Sequence, residues 1–174
     1  MRCTLFVALA LSCAPCLADE APVGPSSTVS VFAKSALTGM QLSVRKGQQQ
    51  GKVPTEVGTC VQSLRDTSFN IVLASLLAES LSPSEMRAAD AFFGTPVGRK
   101  YAKYSLLQIY EAVGEQAPEP LPAFTDAEYK ELEAFSRTRA GDKLIVRRVL
   151  ESKAAQQAIG SQIQALLSSC GAKL

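Results

Sequence analysis

The chain has 174 residues, with 18 basic and 16 acidic side chains, no histidine, no tryptophan and a formal net charge of +2. That near-balance supplies no broad field for nucleic acid or an anionic membrane. Without histidine there is no Ser-His-Asp or Cys-His nucleophilic system, no HExxH zinc site and none of the commonest metal ligand; no metal site and no cofactor are expected.

Arg2 precedes an apolar run from Leu5 to Leu11, followed by small residues and Pro15. The run is shorter than the roughly 20 residues a membrane span needs, and it has the charged, apolar and small-residue order of a secretory signal. Residues 1–18 therefore read as a signal peptide, cut after Ala18 in Cys16-Leu17-Ala18. The alternative is a lipoprotein acylated at Cys13, which would put the bulky Leu11 near a site that favours small residues. Cys13-Ala14-Pro15-Cys16 has the spacing of a redox motif but falls inside the signal, ahead of any βαβ unit. The expected location is periplasmic or secreted, with no stable membrane insertion after cleavage.

Residues 19–27 form a flexible leader with two prolines, and 28–174 form one helical domain. Val31, Phe32, Ala36, Leu37, Met40 and Val44 mark a first helix ending at Lys46-Gly47, before a polar loop from Gln48 to Pro54. A second helix is predicted from Thr55 or Glu56 to about Ser80. Its segment from Ile71 to Leu77 is apolar nearly all round, the pattern of the most buried helix.

Residues 81–101 align without gaps onto 124–144. Six of the 21 pairs are identical: Glu85/Glu128, Ala91/Ala134, Phe92/Phe135, Thr95/Thr138, Gly98/Gly141 and Lys100/Lys143. Each copy opens on a capping box, Ser82-Pro83-Ser84-Glu85 or Thr125-Asp126-Ala127-Glu128, with the staple pairs Leu81/Met86 and Phe124/Tyr129. The first copy's helix stops near Gly94. Thr95-Pro96 then caps another, whose Gly98 permits close packing and which continues to Gly114. A proline-spaced connector runs from Ala117 to Pro122. After the second copy, apolar residues from Leu144 to Leu167 predict one long or broken helix, with Gly160 as a break and Gly171 as its stop. No segment alternates with period two. The fold expected is all-α: a single helical bundle holding a degenerate duplication.

Cys60 and Cys170 survive signal cleavage. In an oxidising compartment they read as one structural disulfide, against the alternatives of free thiols or a redox pair.

The run Phe92-Phe93-Gly94-Thr95-Pro96-Val97-Gly98-Arg99-Lys100, behind its acidic capped helix start, resembles the bacterial exported DUF2059 family over about residues 81–145. The second copy, Phe135 to Lys143, lacks the proline and the second aromatic. The resemblance implies an exported helical domain; it brings no activity, cofactor or catalytic residue.

Asp126, Glu128, Glu131 and Glu133 read as capping and a solvated face rather than acid–base chemistry. Arg139, Lys143, Arg147 and Arg148 form a candidate partner surface, with ion pairing to Glu151 as the plainer reading. Phe92, Phe93, Tyr101, Tyr104, Tyr110 and Phe135 read mainly as core and alternatively as the lining of a groove. The leading functional expectation is a non-catalytic exported protein that binds another envelope or secreted protein, as an immunity-type inhibitor or an adaptor. The alternative is a carrier or sensor of a small apolar ligand between the two helical halves. Third comes an enzyme without histidine, such as a Ser–Lys hydrolase.

Overall fold

The computed structural model describes residues 26–172, so the signal, its cleavage point, Cys13 and most of the leader lie outside the described residues. The described residues contain no strand, and no helix among them is long and apolar enough to cross a membrane. The first helix, α1 (Ser27–Gln49), is the central element, packed against each element that follows it up to residue 113. Ala33, Leu37, Met40 and Val44, at spacings of three and four, bury one of its faces in the core. Its start is tied down by a carboxylate from another helix. Asp90 accepts from Ser26 Oγ (2.7 Å) and Thr28 N (2.8 Å), placing a negative charge at the helix N-terminus. Burial alone would raise the Asp90 pKa, but these bonds and one from Ser27 outweigh it and hold the group below the ordinary aspartate value.

The single helix expected from Thr55 to Ser80 is instead α2 (Thr55–Ser63), a 3₁₀ turn (Asp66–Phe69) and α3 (Asn70–Ser80). Leu64 and Arg65 are extended, and the turn between the helices delivers Phe69, fully buried, into the core. Nor is α3 buried all round. Leu73 and Leu77 face inward, whereas Ile71 is 87% exposed, because the helix lies on the outside of α1 with one face covered.

The duplicated units follow as α4 (Pro83–Phe93) with α5 (Pro96–Val113), and α6 (Asp126–Ser136) with α7 (Arg139–Gly141). Both capping boxes are present, and Phe124 touches Tyr129 at a centroid distance of 5.5 Å. Gly114, left-handed at φ 76°, ends α5.

After α7 the expected helix breaks at 147–152, not at Gly160. A π turn (Asp142–Val146) closes with Arg147 N donating to Asp142 O, Arg148 adopts a left-handed backbone, and a 3₁₀ turn (Val149–Glu151) follows. Ser152 then caps α8 (Lys153–Ser169) by accepting from Ala155 N. Gly160 lies inside α8 with open space where a Cβ would go. Cys170, at the end of α8, is disulfide-bonded to Cys60 in α2 across 5.6 Å between Cα atoms. Gln162, donating to Ser68 O at 2.9 Å, adds a second tie.

Candidate functional site

The two copies meet as a pseudo-twofold pair. Lys100 of the first binds Glu128 of the second (2.6 Å), and Lys143 of the second binds Glu85 of the first (2.7 Å). This reciprocity is the signature of an isologous contact, here within one chain. Phe92 and Phe135, equivalent residues, stack on each other at 3.8 Å and 4° between planes, so the axis passes between their rings. In each copy the threonine donates to the carbonyl of the stacked phenylalanine three residues earlier and accepts from the glycine N–H. Each glycine sits on that same carbonyl. A Cβ would lie 2.0 Å from Phe92 O at Gly98 and 1.9 Å from Phe135 O at Gly141. Five of the six identities are thereby accounted for; Ala91 and Ala134 are exposed, and nothing in the structure explains them.

Each glutamate has two tasks. Glu85 accepts from Lys143 Nζ and from the Ser82 backbone N–H, and these bonds lower its pKa to about 2. Glu128 does the same with Lys100 and Thr125, and is lowered likewise. The axis itself is packed solid with aromatic rings.

Beside it, the second unit's irregular exit leaves a cleft of about 550 Å³ between α1, α5 and the segment Leu144–Glu151. This is within the usual range for a small-molecule site. Phe32, Tyr101 and Tyr104 supply aromatic walls in front of the buried Phe93, with Ser35, Ser105 and Gln108 as polar points. Phe32 meets Phe93 edge to face at 5.9 Å. At the rim, Arg148 Nη2 binds Glu151 Oε1 at 2.5 Å, and both side chains are more than half exposed. Arg148 has φ 51° and ψ 51°, a conformation about 1–2 kcal/mol unfavourable for a residue with a Cβ. It is the one non-glycine with positive φ among the described residues. A π turn beside a left-handed non-glycine residue is the kind of irregularity that gathers at functional sites.

Of the proposed partner surface, Lys143 is consumed by Glu85, Arg147 binds Asp142 at 2.7 Å and Arg148 binds Glu151; Arg139 is exposed on α7. They do not lie along one regular helix, because the π turn and left-handed residue intervene. Phe92, Phe93 and Phe135 are core, while Tyr101 and Tyr104 line the cleft. Sequence reasoning missed Ser105 and Gln108 as lining residues and Arg148 as a strained one. No local signal marks Arg148, since glycine or asparagine is the residue expected at such a backbone.

A second, more open groove of about 990 Å³ runs between α1, the segment 52–57 and α8, next to the disulfide. Met40, Val44, Val53, Val57, Ile163 and Leu167 make it apolar. Comparison with protein-family models, curated proteins and solved structures finds no match to this chain.

Proposed function

We propose that this chain is an exported, non-catalytic binding protein whose ligand seat is the cleft beside the pseudo-twofold axis. The observation that carries this reading is the cleft's construction: preformed aromatic walls, polar groups spaced among them and a strained arginine at the rim. Export is supported by the signal-like residues 1–18 and by the disulfide, which belongs to oxidising compartments. Membership of the DUF2059 family rests on the residues of 81–145 alone. A non-catalytic role is supported by the sequence, which has no histidine and so lacks the commonest general acid–base group.

The ligand reading thus moves ahead of the protein-partner reading, which the apolar groove beside α8 still favours as a seat for the apolar face of another protein's helix. Native mass spectrometry of the exported protein tests the choice. A small-molecule adduct is expected on the native chain and absent from Ser105→Trp, which fills the cleft. An adduct that survives Ser105→Trp, or none on either chain, overturns the reading.

A further inference from the structure

We propose that the cleft takes an aromatic carboxylate, its ring against Phe32 and Tyr101 and its carboxylate on Arg148 in place of Glu151. This rests on the cleft being the ligand seat. Three observations define the ligand's chemistry. The walls are mainly apolar and carry the rings of Phe32, Tyr101 and Tyr104 among a few serine and glutamine side chains, so the ligand's body is a ring system of modest size. The charged groups at the rim are one arginine and one glutamate, bound to each other by a single contact at 2.5 Å. Glu151 thus occupies, within the chain, the place an external carboxylate would take. A guanidinium offers a planar fork of donors that matches a carboxylate two bonds at a time, so a ligand able to use both displaces a partner using one.

The backbone supplies the third observation. The left-handed turn at 148 would be more comfortable with glycine, and the Arg148 side chain remains 65% exposed. A side chain held at the mouth of an aromatic cleft by an unfavourable backbone is positioned for something outside the chain.

Titration calorimetry with 1-naphthaleneacetate and its neutral amide tests this on the whole mature protein. The acid should bind at least about tenfold more tightly than the amide, the worth of a charge-assisted hydrogen bond. Arg148→Gly keeps the left-handed turn, so the variant should fold with an unchanged or higher Tm. It should lose the preference for the acid while keeping affinity for the amide. Glu151→Gln removes the competing carboxylate and should tighten the acid several-fold, an effect a structural ion pair does not produce. Equal binding of acid and amide to the wild type, or an Arg148→Gly variant that still prefers the acid, overturns the carboxylate anchor and leaves the cleft as a seat for neutral ligands. Binding of neither probe, or binding unaffected by Ser105→Trp, overturns the anchor and the cleft reading together.

Discussion

Truncating the stacked phenylalanines tests whether the two copies hold each other in place. Phe92 is 8% exposed and Phe135 7%, and each ring also meets Phe93 edge to face, at 5.3 and 6.3 Å. Replacing either by alanine leaves a ring-sized cavity on the axis and should cost about 3–5 kcal/mol. Because each ring is the other's principal partner, the second truncation removes an interaction already lost. The double variant should therefore fall short of the sum by about 0.5–1.5 kcal/mol, the worth of an aromatic pair beyond its burial. A domain of this kind has about 5–15 kcal/mol in total, so the same cycle run with leucine, at about 1–2 kcal/mol per site, keeps every variant folded. Urea unfolding followed by far-UV circular dichroism, with the disulfide intact, gives the four free energies if the slopes stay equal. Single costs below about 1 kcal/mol, or strict additivity in both series, would refute the pseudo-twofold packing.

Other perturbations separate the remaining elements. Cys60→Ser opens a cross-link spanning 110 residues and should cost about 4–5 kcal/mol in the chain-entropy picture, read as a fall in Tm; an unchanged Tm would remove the bridge from the account. Gly98→Ala and Gly141→Ala should each destabilise by about 1–3 kcal/mol despite alanine's better helix propensity, because the new methyl meets a backbone carbonyl. Gly160→Ala, with open space around it, should stabilise by up to about 1 kcal/mol, and the opposite sign at either kind of site would contradict the geometry. Since the Glu85 pKa is lowered to about 2 in the folded chain, its contribution is present above the unfolded value near 4.5 and lost as pH falls from there toward 2. A Lys143→Met variant should lose part of that acid-limb dependence; an identical pH profile would mean the pair is not formed in solution.

The duplication was the most legible feature of this sequence because its identities record contacts made twice. A capping glutamate that also binds the other copy, a glycine pressed on a carbonyl and a threonine closing a turn are each fixed by backbone geometry, so they persist at a constant offset. The disulfide followed from two cysteines and the expectation of an oxidising compartment. What could not be read was how apolar stripes are cut and turned. Leu64 sits in a helical pattern yet is extended, because Phe69 has a better place in the core than a continued helix allows. Ile71 belongs to an apolar run but points outward, since a pattern that is apolar all round does not specify which face a neighbour covers. Arg148 is the clearest case: the backbone that bends there is set by the π turn and the packing of 142–151, and the cleft it rims is assembled from helices far apart in the chain.

The most direct measurement is photocrosslinking in the producing cell, with a benzophenone amino acid placed at Gln108 on the cleft or at Ile71 on the outer face of α3. A ligand-binding cleft predicts a discrete small-molecule mass increment from position 108, lost in the Ser105→Trp background, and nothing specific from position 71. A protein adduct formed from position 71, with position 108 unmodified, would contradict it.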